Sequence, residues 1–420
     1  MSNFDKVIGY TTIKNELMQL CDMIKNKDIY EKLGAKLPSG VLLYGDPGLG
    51  KTLMAKCFIE ECNLKTFTIR KNKSESFVEH IIDTFIEAKK NAPSIVFLDD
   101  MDKFANEDNN HKDAEEYVAV QSGIDDVKGF DVFVIATVNE FRKLPDSLTR
   151  SGRFDRCIRI GSPSSEDSVK IIEHYLENKK IDKEINIDDI SKMICYSSCA
   201  DLESIMNEAA IIAGVNRKEY IEMSDVVNAV LKKEYNSPDE YVKVDSHELK
   251  KVAYHEAGHL VMCEVLCPGS VGIVSLRKNG RSSTGGFVRR CKKLPDAESQ
   301  ILVCLAGKAA VELNYGICAD GCETDIRKAY NEIRDEVSEK GSIGFGMVDV
   351  SNYRFPNPSE SLNSRNESVV QAELERYFYK AKKIIIENKE FLEKVVEALL
   401  EKDALLASDI AKIREELKNV

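Results

Sequence analysis

The sequence LLYGDPGLGKT, residues 42–52, decides how the first part of this chain is interpreted. It satisfies the pattern G-x-x-x-x-G-K-[ST], it follows a short apolar run, and it precedes a segment of helical period. A strand, a glycine-rich turn and a helix in this order surround a phosphate with backbone N–H groups and a helix N-terminus. The pattern predicts a phosphate-binding loop formed by Gly45, Asp46, Pro47, Gly48, Leu49, Gly50, Lys51 and Thr52.

Side chains in and near this loop suit ATP with Mg²⁺. Lys51 would contact the β- and γ-phosphates, and Thr52 would bind Mg²⁺. The stretch SIVFLDD, residues 94–100, has the composition of a buried strand and ends in two acids. Asp99 would hold Mg²⁺ through water, and Asp100 would orient or deprotonate the attacking water. An ATP hydrolysis site is therefore expected.

Four short apolar runs occur in the first part of the chain. Helical patterns such as residues 76–90 separate them, and this alternation predicts βαβ units with a parallel sheet covered on both faces. The runs are residues 41–44, 66–69, 94–100 and 132–139, the last ending at Asn139.

Two arginines follow the last of these runs. Arg153 and Arg156 are three residues apart, beyond a glycine. At the edge of the sheet they would not easily contact their own nucleotide, but they could stabilise charge on the nucleotide of a neighbouring subunit. Without further evidence, ordinary surface arginines are the favoured interpretation.

The remainder of the chain is mostly helical in pattern. We expect a nucleotide-binding part over residues 1–163 and a helical subdomain over 164–236. A polar linker is expected over 237–245, and a further domain over 246–420 with one β-like patch near 271–290. The expected fold is multidomain, α/β followed by mainly α.

The stretch AYHEAGH, residues 253–259, indicates a metal site. His255 and His259 are four residues apart, which places them on one helix face, and that spacing suits two ligands of one Zn²⁺. Glu256 would lie beside the metal, where it can take a proton from water. The same pattern also occurs by chance in ordinary helices.

A zinc site that cleaves peptides needs a third protein ligand. No histidine follows His259, and Cys263 and Cys267 lie too far along the same helix to bind the same ion. The ligand must come from another segment. On the residues alone, the acidic candidates remain open: Glu298, Glu312, Asp320, Glu323 and Asp325.

Composition limits the possible partners. The chain has 420 residues with 59 basic and 71 acidic side chains, a net charge of −12. This charge argues against bulk nucleic-acid binding through phosphate neutralisation and against attachment to an anionic membrane by charge alone. No apolar stretch approaches the ~18–20 residues of a membrane span, and no signal pattern opens the sequence. We expect a cytoplasmic protein whose 12 cysteines are free thiols.

Several of these motifs occur together in one known family. Residues 1–235 resemble an AAA+ ATPase module, specifically that of the FtsH family: YGDPGLGKT is similar to the Walker A loop and IVFLDD to the Walker B strand. Asn139 corresponds to the sensor asparagine, RSGRFDR (150–156) to the arginine-finger segment, and residues 199–213 to the helical lid. The resemblance implies a homo-hexameric ring in which Arg153 and Arg156 act on a neighbour's nucleotide.

The second part resembles the same family. AYHEAGH is similar to the zinc helix of the FtsH-type peptidase domain, STGGF (283–287) to its substrate-edge strand, and GCETDIRKA (321–329) to the segment with an aspartate ligand. The resemblance therefore places the third ligand at Asp325. It implies an ATP-dependent zinc endopeptidase acting on unfolded or tagged proteins. The family's membrane segment has no match in these residues, so we expect either a soluble member of the family or part of a longer chain.

The sequence departs from the family in its ATPase part. Asp100 replaces a glutamate, which predicts slow hydrolysis, and the segment 71–85 is shorter than the family's pore-loop region. Phe77 either grips substrate or belongs to the core of the next helix. Two alternative functions follow: a remodelling module with structural zinc, or a peptidase whose nucleotide only holds the ring together.

Overall fold

The computed structural model describes residues 2–71, 76–105, 114–150, 152–237, 246–277, 280, 285–316, 321–338, 340, 342 and 360–418. The chain divides into two compact units. One contains Met1–Asn178 and Tyr196–Ser204, and the other contains Lys179–Cys195 and Ile205–Val420. Most of the expected linker lies outside the described residues, and the expected domain boundaries stay a prediction.

Helices and strands follow the order expected of an α/β part and a mainly helical part. The strands are β1 (Gly40–Tyr44), β2 (Lys65–Arg70), β3 (Ser94–Asp99), β4 (Val132–Val138), β5 (Arg156–Arg159), β6 (Val271–Ser275), β7 (Phe287–Arg290) and β8 (Ala404–Leu406). The helices are α1 (Thr11–Lys25), α2 (Lys27–Lys32), α3 (Lys51–Cys62), α4 (Phe77–Lys90), α5 (Ala114–Asp126), α6 (Ser165–Leu176), α7 (Ile187–Met193), α8 (Cys199–Val215), α9 (Met223–Tyr235), α10 (Ser246–Leu266), α11 (Ala297–Tyr315), α12 (Glu323–Ser338), α13 (Glu360–Glu387), α14 (Lys389–Lys402) and α15 (Ala407–Lys418).

The first unit is built on a five-stranded sheet in the order β2-β3-β4-β1-β5, and every pair is parallel. All residues of β3 and β4 are buried, as expected for strands covered on both faces. Because the strands are parallel, the carboxyl ends of β1, β3 and β4 meet at one edge. The parallel sheet predicted from the apolar runs is confirmed.

Two features of the first unit are settled by the structure and not by the sequence: strand β5 and the position of Phe77. β5, which begins at Arg156, pairs with β1 although its exposed arginines hide it in the sequence pattern. Phe77 is 3% exposed and packs edge-on against Phe104 with ring centroids 5.4 Å apart. Of its two interpretations, the structure favours the core position.

The second unit has a helical core around the long helices α10 and α11. Apolar faces of α10 to α14 form one buried cluster that includes Ala257, Leu260 and Ala306. A three-stranded antiparallel sheet, β7-β6-β8, lies beside it, with β7 at an edge. Among the described residues, no helix combines the length and apolar character needed to cross a membrane.

Candidate nucleotide and metal sites

The predicted phosphate-binding loop joins β1 to α3. Gly50 has a φ of +86°, a conformation that glycine adopts without strain, and it directly precedes the first residue of α3. Leu49 is buried and anchors the loop, whereas Asp46 and Pro47 are exposed. The loop therefore presents its backbone beside a helix N-terminus, where backbone N–H groups and the helix dipole favour an anion.

Lys51 is the buried cation of this loop. Its Nζ donates hydrogen bonds to the carbonyl oxygens of Gly45 at 2.8 Å and Asp46 at 2.7 Å. Burial lowers the pKa of Lys51, and the neighbouring Asp100 and Asp102 oppose this effect. A buried ammonium whose hydrogen bonds, among the described residues, go to carbonyl oxygens is suited to binding an anion.

A hydrogen-bond network joins this loop to the ends of β3 and β4. Thr52 Oγ1 donates to Asp99 Oδ1 at 3.1 Å, and Thr137 Oγ1 donates to the same oxygen at 3.0 Å. A hydroxyl and a carboxylate at this separation provide the hard oxygen ligands that Mg²⁺ prefers, directly or through water. The two residues predicted to bind Mg²⁺ thus lie together.

Asp100 and Asn139 also lie together. Asn139 Nδ2 donates to Asp100 Oδ1 at 3.2 Å, and Lys103 Nζ lies 2.6 Å from the other oxygen, Oδ2. Burial would raise the pKa of Asp100, but the hydrogen bond and charge of Lys103, together with Asn139 and Arg70, outweigh it and lower the pKa. Sequence reasoning missed Lys103, which was not distinguishable from other surface lysines.

The two candidate arginines are in different environments. Arg153 forms a bidentate ion pair with Asp125 of its own chain, at 3.1 and 2.8 Å, and this hydrogen bonding lowers the pKa of Asp125 to about 2. Arg156 is exposed at the start of β5 and makes no ion pair or side-chain hydrogen bond with a described residue. It lines a groove of about 350 Å³ along α1.

The metal candidates converge in the second unit. Nε2 of His255 and Nε2 of His259 lie 3.1 Å apart, and each lies 3.2 Å from Oδ2 of Asp325 in the first turn of α12. Tetrahedral zinc with bonds of about 2.0–2.2 Å separates its ligand atoms by roughly 3.3 Å. Two imidazoles and one carboxylate leave a fourth position open, so the donor set fits zinc.

The other acidic candidates are elsewhere. Glu298 pairs with Lys380, and Glu312 pairs with Lys308 and Lys382. Glu323 is exposed, and Asp320 lies outside the described residues. Among the described acids, the geometry favours Asp325.

The pKa shifts of His255 and Asp325 are those expected of side chains that bind a cation. Burial would lower the pKa of His255, but hydrogen bonds with Asp325 and Cys322 outweigh it and raise the pKa to about 9. Burial would raise the pKa of Asp325, and hydrogen bonds with both histidines reverse this and lower it. A cation binding between the three side chains replaces the protons shared there.

Glu256 lies beside this cluster and is shielded from solvent. It is 6% exposed, and burial raises its pKa. A methyl group at Gly286, the residue before β7, would lie 2.7 Å from Glu256 Cγ, so only glycine leaves room for this side chain. A buried carboxylate with a raised pKa is suited to accept and return a proton.

Neighbouring groups hold the histidine rings. Nδ1 of His259 donates to the carbonyl oxygen of Val303 on α11 at 2.7 Å. A methyl group at Gly307 would lie 2.6 Å from Nε2 of His259 and 2.7 Å from Cε1 of His255. Sequence reasoning missed Gly307, because a glycine inside a helical pattern indicates close packing without indicating its neighbour.

Two family comparisons cover these two sites. Residues 41–162 match the ATPase family associated with various cellular activities (AAA). Residues 242–413 match peptidase family M41. The phosphate-binding loop falls in the first match, and the histidines and Asp325 fall in the second.

Curated relatives match nearly the whole chain. It is 32% identical to the "ATP-dependent zinc metalloprotease FtsH" of Leptotrichia buccalis over 98% of its own length and 56% of that protein. It is 31% identical to "ATP-dependent zinc metalloprotease FtsH 3" of Symbiobacterium thermophilum, over 99% of its own length and 71% of the relative. It is 31% identical to the FtsH of Mycoplasma pneumoniae, over 99% of its own length and 62% of the relative. The chain thus spans 56% to 71% of the length of these relatives.

Proposed function

The chain belongs to the FtsH family, and from this premise we propose that it is an ATP-dependent zinc endopeptidase that unfolds and degrades proteins. The observation that carries the proposal is the convergence of His255, His259 and Asp325 beside the buried Glu256. A structural zinc site is usually closed by four protein ligands and needs no buried carboxylate beside it. The described residues therefore support peptide hydrolysis better than a remodelling module with structural zinc.

In the proposed reaction His255, His259 and Asp325 would hold Zn²⁺. Bound zinc supplies a Lewis acid that acidifies water and polarises a peptide carbonyl. Glu256 accepts a proton from water at its carboxylate and returns it to the leaving amine, a transfer that its raised pKa favours. Val303 orients His259 through its carbonyl oxygen.

ATP and Mg²⁺ are the proposed cofactors of the first unit. The loop Gly45–Thr52 would surround the phosphates, Lys51 would neutralise them, and Thr52 with Asp99 would hold Mg²⁺. Asn139 and Asp100 then orient or deprotonate the attacking water. The proximity of these two side chains supports that assignment.

We further propose a homo-hexamer in which an arginine stabilises the nucleotide of a neighbouring subunit. Arg156 is better placed for this role than Arg153, because Arg156 is exposed and Arg153 is bound to Asp125 of its own chain. Arg153 would then support the segment that presents Arg156. A cytoplasmic location, with unfolded or tagged proteins as substrates, completes the proposal.

A second candidate function is favoured by two observations. Both oxygens of Asp100 are engaged within the chain, by Asn139 and Lys103, and Phe77 is buried. A weak ATPase without a gripping aromatic residue would use nucleotide to hold the ring together while the peptidase acts on unfolded chains.

Glu256→Gln tests the peptidase. Purified protein with stoichiometric zinc is incubated with casein, ATP and Mg²⁺, beside the Glu256→Gln variant. We expect the variant to keep its zinc and its melting temperature but to lose proteolysis, because only the proton acceptor is changed. Casein cleavage by the zinc-loaded variant at the wild-type rate would overturn the assignment.

A further inference from the structure

Each ligand histidine has one ring nitrogen directed at the metal cluster and one directed away from it. In both rings Nε2 faces the cluster, so a neutral ring that binds zinc through Nε2 carries its proton on Nδ1. The group that accepts this Nδ1–H selects the tautomer and the ring orientation. For His259 this group is the carbonyl oxygen of Val303.

His255 has a different partner. Its Nδ1 lies 3.7 Å from Sγ of Cys322, and no other described residue is a hydrogen-bond partner of this nitrogen. Cys322 is 2% exposed and immediately precedes α12. The N–H of Ile326 donates to the carbonyl oxygen of Cys322 at 3.0 Å, so the Cys322 backbone forms part of the first turn of α12.

This first turn also contains Asp325. One short segment therefore supplies both the carboxylate ligand and the thiol that faces the opposite side of His255. Cys322 cannot be a ligand itself, because its sulfur contacts Nδ1, the nitrogen turned away from the cluster.

We propose that Cys322 is a positioning residue of the metal site, whose sulfur accepts the Nδ1–H of His255 and so presents Nε2 to zinc. This inference rests on the proposed zinc site. Sulfur is a weaker and longer-range acceptor than a carbonyl oxygen, so His255 is held less firmly than His259. The two histidine rings are then held with unequal strength, and the affinity for zinc depends on a thiol that makes no contact with the ion.

Zinc affinity tests the inference in the full-length protein. Competition with a chelator gives the zinc dissociation constant of the wild type, Cys322→Ala, Cys322→Ser and the control Cys263→Ala. Cys263 is another buried thiol, on α10 one turn beyond His259, and among the described residues no hydrogen bond joins it to either histidine ring. We expect Cys322→Ala to weaken zinc binding by ~10–100-fold, the usual effect of losing an outer-shell partner. Cys322→Ser, which keeps an acceptor on a shorter bond, should lose less, and the control should bind as the wild type does.

The absorption spectrum of the cobalt-substituted protein provides a second readout. A change of the ligand-field bands in Cys322→Ala but not in Cys263→Ala is expected, since only the former alters a ligand ring. Unchanged zinc affinity and spectrum in Cys322→Ala, with a melting temperature lowered as in the control, would overturn the inference and leave a packing role. Absence of stoichiometric zinc in the wild type would instead refute the proposed zinc site itself.

Discussion

Oδ2 of Asp325 lies 3.2 Å from Nε2 of His255, although 70 residues separate them in the chain. The contact brings the first turn of α12 against α10, and with His259 it completes a set of three ligand atoms. A separation this short between a carboxylate and two imidazoles suits one cation between them.

Asp325→Ala should remove most of the zinc. A direct ligand is lost, so the affinity should fall by more than the ~10–100-fold typical of an outer-shell partner. The matched control is Glu323→Ala, which removes an exposed acid two residues earlier on the same helix. Metal analysis after dialysis distinguishes them, and full occupancy in Asp325→Ala would place the third ligand at another acid, with Glu298 or Glu323 next.

Gly307→Ala should impair the same site through sterics alone. The added methyl group would lie 2.6 Å from Nε2 of His259, so the ring or the helix must move. We expect loss of zinc and a destabilisation of about 1–3 kcal/mol. Gly214→Ala is the control, because Gly214 is helical with nothing within 4 Å of an added methyl group, and it should be neutral or stabilising. Normal zinc content in Gly307→Ala would contradict this packing.

Arg156→Ala should leave nucleotide binding nearly intact and reduce ATP hydrolysis by roughly 10³-fold or more, if the guanidinium acts on a neighbour's nucleotide. Arg153→Ala should share its effects with Asp125→Ala, since each breaks the same ion pair. Nucleotide affinity, turnover and melting temperature of the three variants separate the roles. Full turnover in Arg156→Ala, or in a diluted monomer, would contradict action between subunits.

Asp100→Glu should raise ATP turnover several-fold. The aspartate carboxylate is withdrawn by one bond, and a misplacement of about 1 Å can cost on the order of 100-fold in rate. Steady-state turnover in saturating ATP and Mg²⁺ measures the effect. A lower rate in Asp100→Glu would show that the backbone already brings Asp100 close enough.

Lys103→Ala tests the ion pair that holds Asp100. Lys103 lowers the pKa of Asp100, so its removal should raise that pKa and move the acid limb of the pH–rate profile to higher pH. The freed carboxylate should also be a stronger base, which raises turnover at neutral pH. Lys90→Ala removes an exposed lysine in a similar i,i+3 pair. It should change neither the acid limb of the pH–rate profile nor the turnover at neutral pH. An unmoved acid limb in Lys103→Ala would exclude Asp100 as the titrating group.

Local motifs predicted the parts of both sites that lie close in sequence. The glycine pattern before Lys51 and the spacing of His255 and His259 each require one turn or one helix face, and the chemistry follows from those residue types. The buried composition of β3 likewise predicted that Asp99 ends a covered strand. These features depend on few neighbours.

Long-range packing decided the rest. Five acids remained open as the third ligand, because nothing near Asp325 in sequence shows that its side chain contacts the histidines of α10. Gly307, Lys103 and Cys322 were missed for the same reason: each acts through a contact that only the tertiary structure creates. The ion pair that holds Arg153 was hidden similarly, since Asp125 precedes it by 28 residues.

The degradation of casein under three nucleotide conditions tests the central claim most directly. Zinc-loaded protein is incubated with Mg²⁺ and ATP, with a non-hydrolysable ATP analogue, or without nucleotide, and loss of intact casein is followed over time. We predict degradation only in the ATP condition, because ATP hydrolysis by the first unit must supply substrate to the peptidase in the second. Equal degradation with the analogue would show that nucleotide only holds the ring together, and equal degradation without nucleotide would contradict an ATP-dependent protease.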